Sequence, residues 1–558
     1  MDEAIDQVRA EYDAVPYASH AFPQSAPGHL AAIAHLFGLN VCDVSGSRVL
    51  EIGCAAGGNL LPFATSHPDA QVVGIDLSQV QIEQGLRHVE ALGIRNLQLL
   101  QGDIATIDLT GMGPFDFIIC HGVYSWVPES AQEGILSAFQ KLLSPDGIAY
   151  ISYNVYPGWK AKEIVRDAML LRGYGKETPE EKLGYARGMI EFLQQVAPAD
   201  GILAKALADF NAIAERSREY YLLHEYLETF NKPCYFLEFL EHAGDYDLAY
   251  LADAAPMTMF AGNFGDKVAD QLLAECGHSQ VLLEQYLDFM VNRTFRQTLL
   301  VHSERAPQIR YVVDPARFRQ LHFAAWMPPA GEATQLDDSS QEFGDTPGAT
   351  LVTQDPGTKA TFEVLNARWP WTLSYQELLT AVQTQLVEAG IEVAADLQTD
   401  IDNLLALLIA RGQVRYRLDP VLPGTASTPP RIDEAARRMA ELTSTDTDPF
   451  TFNRWHENIP LSPADRYVLP LLDGSHDREV LLEALQSVDD WGVVEADGDD
   501  GQSEFVEYLD NLPQRLAAMK LAVASPWTSL EYPISTTGDA ALNGEPAGAT
   551  EESVRSGR

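Results

Sequence analysis

Residues 49–59 read Val-Leu-Glu-Ile-Gly-Cys-Ala-Ala-Gly-Gly-Asn, an apolar run that carries a carboxylate, Glu51, straight into a turn built on Gly53, Gly57 and Gly58. A strand that breaks directly into small residues is the βα corner of a parallel α/β fold, and this constrains the chain more than any other stretch. A dinucleotide site would need Gly-x-Gly-x-x-Gly to seat a pyrophosphate on the following helix. Cys54, Ala55 and Ala56 break that spacing and leave Glu-x-Gly-x-Ala-x-Gly. Such a turn suits a ligand without phosphate. Small residues let the backbone approach it closely, and the carboxylate favours a cationic group. S-adenosylmethionine offers two cations, a sulfonium and an α-ammonium, so the motif points to methyl transfer. The expected donor contacts are Glu51, Gly53, Cys54, Ala55, Gly57 and Asn59. A glycine that only turns the chain is the plainer alternative.

The companions expected of a nucleoside fold follow in register. Residues 71–76 form a second apolar run ending in Asp76 and Leu77, about 20 residues beyond the glycine turn, where such folds bind ribose hydroxyls. Asp76 is the ribose candidate. A third run, 97–101, ends in Gly102, Asp103 and Ile104. There a carboxylate can accept the exocyclic amine of adenine while Ile104 packs on the ring. A fourth, 115–120, opens into His121 and Gly122, and a fifth, 147–153, opens into Asn154, Tyr156 and Trp159. Five strand ends should converge on one crevice.

At 558 residues the chain exceeds a single core. Its 80 acidic against 38 basic residues give a formal charge of −42, which repels phosphate backbones and anionic membrane surfaces. Nucleic acid is therefore disfavoured and not expected as a partner, and a macromolecular partner should present Lys or Arg. The longest apolar run, 404–410, is too short for a membrane span, and the N-terminus lacks a basic leader. These features predict a cytoplasmic protein without membrane insertion. The five cysteines, Cys42, Cys54, Cys120, Cys234 and Cys276, show no metal-type spacing, so reduced thiols and no metal are expected.

The periodicity divides the chain into an α/β domain over 1–159 and 233–305 and a helical insertion over 160–232, suited to dimerisation or control. Strand character at 247–252 and 294–302 supplies an antiparallel edge pair that completes a seven-stranded, doubly wound sheet. Residues 306–358 read as a connecting segment whose Pro-, Gly- and Asp-rich part, from 326 on, is a linker. Two mainly helical, winged-helix-like units follow at 359–420 and 432–526, then a disordered tail at 527–558. Neither unit shows the basic stripe that DNA binding needs, so both are expected to bind protein or pack on the enzyme.

With these motifs in place the chain resembles the bacterial methyltransferases that carry a methyltransferase regulatory domain, a family that includes the rickettsial outer-membrane-protein lysine methyltransferases. The likeness rests on Tyr12 to Tyr17 with the segment 20–29, the Glu51 turn, 152–159, 233–254, 293–300 and 471–474. It covers about 8–525. The resemblance implies a Rossmann-like methyltransferase fold, S-adenosylmethionine as cofactor, a lysine-bearing protein substrate, and a lid before the first strand that includes Tyr12 and Tyr17. A homodimer is compatible with it.

Methyl transfer is an in-line displacement, so the protein's work is alignment and removal of the acceptor's proton. Lysine, with a free pKa near 10.4, is about one part in a thousand neutral at pH 7. His121 is the evident base in sequence, with capping of a loop as its structural alternative. Tyr124, Trp126, Tyr153, Tyr156 and Trp159 could face an alkylammonium for about 0.5–2 kcal/mol each. At least half of them are expected to wall the methionine tail or to pack the core. Asn154 is placed to orient an amine. A small-molecule acceptor, or a cofactor-binding scaffold without turnover, are the competing readings.

Overall fold

The computed structural model describes residues 3–14, 16, 19–176, 178–198, 200–214, 226–331, 333–346, 348–423, 429–486 and 500–521. Tyr17 and the tail 527–558 lie outside the described residues.

Five apolar runs form parallel strands: β1 (Arg48–Ile52), β2 (Gln71–Asp76), β3 (Leu97–Gln101), β4 (Phe115–Cys120) and β5 (Leu143–Asn154). Two later strands, β6 (Leu248–Asp253) and β7 (Phe295–His302), complete a seven-stranded sheet in the order β3-β2-β1-β4-β5-β7-β6. β7 runs antiparallel to both β5 and β6. The outermost strand therefore points the same way as β1–β5, and only β7 is reversed. The register aligns Glu51 with Gly74 on one side and Ile119 on the other, which sets the ends of β1, β2 and β4 side by side.

Local chemistry explains the crossovers. Ser78 caps the helix Gln79–Leu92 by accepting from the Gln81 amide, and Gly93 ends it at φ 69°, a left-handed position where glycine carries no Cβ penalty. The two faces of the sheet bury different sets. One packs Leu50, Ile52, Ile118, Phe139 and Phe239. The other packs Val49, Phe117, Leu299 and Leu36 and continues into Phe323, Phe362, Leu378 and Leu405 of the next unit. The helices Trp159–Gly173, Pro179–Val196 and Ile202–Ala214 of the insertion enclose a separate core around Val165, Met169, Ile190 and Phe210.

The described residues of the stretch read as a linker include paired and packed structure. Gln341–Phe343 and Leu351–Thr353 pair antiparallel, Phe343 is fully buried, and the enclosed ammonium of Lys359 donates to the carbonyls of Gln335, Asp337 and Ser339. One buried aromatic and one capped cation hold these turns in place.

The unit that follows combines helices Pro356–Arg368, Tyr375–Glu388 and Leu397–Ala410 with the sheet Leu373–Ser374, His322–Ala324 and Arg415–Arg417. Its central strand comes from before the expected boundary. The last unit is built on a core of Ile432, Val468, Leu472, Leu485, Leu512 and Leu516. Its hairpin, Phe450–Phe452 with Asn458–Pro460, precedes most of its helices and does not follow them. Among the described residues no helix is long and apolar enough to cross a membrane.

Candidate active site

Glu51, the penultimate residue of β1, is only 2 % exposed, and one of its oxygens, Oε1, accepts from Asn59 Nδ2 at 2.8 Å. The other, Oε2, is buried and has no hydrogen-bond partner among the described residues. Burial pushes its pKa up to about 8, a rise opposed by the Asn59 hydrogen bond and increased by Asp76. A buried carboxyl with an unsatisfied oxygen, beside a second, half-buried acid, is a site prepared for a cation.

Asp76, at the end of β2, is tied to the glycine turn. Its Oδ2 accepts from Ala55 N at 2.7 Å and its Oδ1 from Ser78 N at 2.8 Å. Desolvation raises its pKa, while those amide contacts oppose the rise. Each oxygen keeps a second lone pair for a hydroxyl. Ala55 adopts φ 49°, and Gly53 and Gly57 both sit at φ 76°. A Cβ on Gly53 would come within 2.3 Å of Val123, and one on Gly58 would strike the Ser19 carbonyl at 2.3 Å. The turn is thus covered closely by Val123, after β4, and by Ser19, before β1. Cys54 is buried with its sulfur 2.7 Å from where a Gly74 Cβ would stand, so the thiol packs on β2 and only its backbone faces the turn.

Asp103 is half-buried beyond β3 and caps its own turn, accepting from Ala105 N at 2.9 Å. Leu77, Gly102 and Ile104 are half-buried beside it. Gly102 donates its amide to the Asp76 carbonyl at 2.8 Å, which joins the two acidic strand tips.

His121 follows β4. Its Nδ1 lies 2.8 Å from the Tyr150 hydroxyl, which donates in turn to Gln297 Oε1 at 3.2 Å. That direction makes Nδ1–H the donor and leaves the lone pair on Nε2. Phe22 stacks on the ring at 3.9 Å, and burial lowers the pKa to about 4. The imidazole is therefore neutral near pH 7. It is a poor match for the proton of an ammonium near pKa 10.4, and the geometry makes it a wall of the crevice before a base. Gly122, at φ 68°, donates its amide to Ser152 Oγ at 2.7 Å.

The aromatic set divides. Trp159 is fully buried between Trp126 and Tyr226, Tyr153 stacks on Phe239 at 4.0 Å, and Tyr124 donates to or accepts from His242 at 2.6 Å. The catalytic role expected of Trp159 is corrected accordingly: it seals the root of the insertion, because an indole of that size is worth more in the core than at a wet rim. Asn154 is buried and donates from Nδ2 to Asn231 Oδ1 at 3.0 Å. Tyr156 alone of the catalytic candidates on this loop keeps an accessible edge. Its hydroxyl donates to Glu163 at 2.6 Å and Lys160 sits 3.4 Å above its ring. Tyr156→Phe should leave donor affinity within about twofold and lower stability by about 0.5–1.5 kcal/mol, as calorimetry and denaturant unfolding would read. A large affinity loss would place Tyr156 on the cofactor.

Three groups at the site escaped the sequence reading. Phe22 covers His121, Ser19 Oγ accepts from Gly58 N at 2.8 Å, and His456, far along the chain, lies 2.9 Å from Asn59 Oδ1. The first two fall in or beside the lid segment; His456 carries no local signature.

A sheet in this order, with acids at the tips of β1, β2 and β3 around a phosphate-free glycine turn, defines a class I methyltransferase that uses S-adenosylmethionine. The orphaned Glu51 oxygen fits that donor's α-ammonium. Family models match a methyltransferase domain over 43–192, a predicted methyltransferase regulatory domain over 218–302, and a PKMT C-terminal winged helix domain over 430–518. The chain is 32 % identical to protein RP789 of Rickettsia prowazekii over 484 residues, 85 % of each chain. RP028 of the same organism is 37 % identical over 236 residues, 42 % of this chain and 94 % of that protein. The solved structure of PKMT2 from Rickettsia typhi in complex with AdoHcy superposes with a TM-score of 0.79 at 29 % identity, covering 91 % of this chain and 100 % of that one. The chain belongs to this family of bacterial methyltransferases with a regulatory domain and a PKMT winged-helix domain. The regulatory-domain match contains both β6 and β7, so that region is physically part of the catalytic sheet.

Proposed function

We propose that the protein is a protein-lysine N-methyltransferase. The observation that carries the reading is the likeness to PKMT2, which covers 91 % of this chain and 100 % of that one. The formal charge of −42 agrees with it, since an acidic surface attracts a lysine-bearing partner. In this reading the protein substrate reaches the mouth of β4 and β5, with no nucleic acid involved, and the enzyme acts in the cytoplasm.

The neutral amine attacks the methyl carbon in line; the N–C bond forms as the S–C bond breaks, and S-adenosylhomocysteine leaves. The proton lost by the amine passes to water, because a His121 near pKa 4 holds protons too weakly to take it. Glu51 orients the donor's amino-acid tail, Asp76 the ribose and Asp103 the adenine, with Gly53, Ala55, Gly57 and the Cys54 backbone forming the floor. Asn59 holds Glu51, while Leu77, Gly102, Ile104 and Gly122 shape the edges. Tyr156 borders the acceptor side, with Asn154 buried behind it.

Incubation with methyl-labelled S-adenosylmethionine and a bacterial lysate tests the reading. Label is expected in the protein fraction, and acid hydrolysis should recover it as methyllysine. Recovery only among small molecules would replace the substrate class, and no incorporation in either fraction would leave a binding protein without turnover.

A further inference from the structure

Asn59 is where three distant parts of the chain meet. Its Nδ2 donates to Glu51 Oε1 at 2.8 Å and to Ser25 Oγ at 2.9 Å. Its Oδ1 accepts from Phe22 N at 2.8 Å and from His456 Nε2 at 2.9 Å. An amide can be turned end for end, and the reversed orientation would point a carbonyl oxygen at the Glu51 carboxylate. The Phe22 amide and the His456 imidazole, both donors here, hold it the right way round.

His456 is firmly presented. It occupies the turn between Phe450–Phe452 and Asn458–Pro460 at φ 61°, a left-handed conformation that His adopts more readily than most residues. Asn453 Oδ1 accepts from Trp455 N at 2.9 Å and from Glu457 N at 3.1 Å, which closes the turn around it. Trp455 Nε1 donates to the Pro370 carbonyl at 2.9 Å, and Glu457 pairs with Arg415 at 2.7 Å and Lys520 at 2.8 Å. The turn is thus clamped from both C-terminal units. Burial, with Arg417 and His67 nearby, lowers the imidazole pKa to about 3, so it stays a neutral donor.

We propose that His456, supplied by the C-terminal winged-helix domain, is a positioning residue for the methyl donor, locking the Asn59 amide that orients Glu51 and so making donor affinity depend on the docked C-terminal domain. The proposal rests on the donor reading of Glu51. The left-handed backbone at this buried interdomain contact is a conformation that simple packing would not require.

The test measures AdoHcy affinity of the full chain by calorimetry. His456→Ala should weaken binding about five- to tenfold, the scale of one buried hydrogen bond. His456→Phe, which keeps the volume but not the donor, should do the same, so a folding defect from an emptied site is separable. His456→Gln, with an N–H at similar reach, should recover affinity to within about twofold of the wild type. In an Asn59→Ala background His456→Ala should cost nothing further. Tyr508→Phe serves as the structural control. It removes the Tyr508 to Asp465 hydrogen bond inside the same domain, and it should lower thermal stability without changing affinity. Wild-type affinity in both His456→Ala and His456→Phe, or a penalty that adds in full to that of Asn59→Ala, would overturn the proposal. Glu51→Gln separates the two levels. If it loses affinity while the His456 variants do not, only the strut is wrong; if it too binds normally, the donor site is misassigned.

Discussion

Between about pH 7.5 and pH 6 the affinity for AdoHcy is expected to fall about tenfold per pH unit, with close to one proton released on binding. Glu51 sits near pKa 8 in the ligand-free fold because burial disfavours its charge. A carboxyl whose folded pKa lies above its unfolded value near 4.5 keeps its proton in the folded state across that interval. As pH rises through the window, the ligand-free fold loses the stability that proton conferred. The donor's ammonium reverses the balance by pairing with the ionised form at Oε2, so the proton must leave for the ligand to seat. Thermal stabilisation by AdoHcy should accordingly be larger at pH 8 than at pH 6. Glu51→Gln leaves the Asn59 Nδ2 donor satisfied through the amide oxygen and cannot ionise. It should lower affinity at pH 7.5 by about 1.5–3 kcal/mol, roughly ten- to hundredfold, and flatten the pH profile. A wild-type profile already flat in that window would show that Glu51 does not meet the ammonium.

The second large effect is expected of Asp76→Ala, with a loss of about 1–3 kcal/mol in AdoHcy affinity and a separate loss of about 1–3 kcal/mol in stability. The two arise from different atoms' partners. Affinity depends on the lone pairs left for the ribose, whereas stability depends on Ala55 N and Ser78 N, both left without an acceptor when the carboxylate goes. A 2′,3′-dideoxy analogue of AdoHcy separates them. It should bind the wild type more weakly than AdoHcy does, and it should bind Asp76→Ala as well as AdoHcy does. Equal discrimination in both proteins would place the ribose elsewhere, whatever the stability change.

The parts of the site that were legible in sequence are those carried by one strand and its own turn. Glu51, Asp76 and Asp103 each stand at the end of an apolar run, and a parallel sheet brings such ends together by construction, so position along the chain is enough to place them. The aromatic residues after β4 and β5 show where this logic stops. Tyr153, Tyr156 and Trp159 are neighbours in sequence, yet Tyr153 and Trp159 are enclosed and Tyr156 is not. Strand alternation and a helix start send their side chains in different directions, and only the partners, Phe239, Trp126 and Tyr226, decide which directions are filled. The 341–353 hairpin teaches the same lesson, since Gly- and Pro-rich composition reports turns without reporting whether a Phe343 lies beneath them.

By itself the sequence determined the doubly wound sheet, the acidic strand ends and a glycine turn without the phosphate-binding spacing, because each is written in residues within a few positions of one another. Tertiary structure alone decided the charge state of Glu51, the neutrality of His121 and the arrival of His456 at Asn59. These depend on desolvation and on hydrogen bonds between residues hundreds of positions apart, and neither quantity exists until the domains have closed on one another.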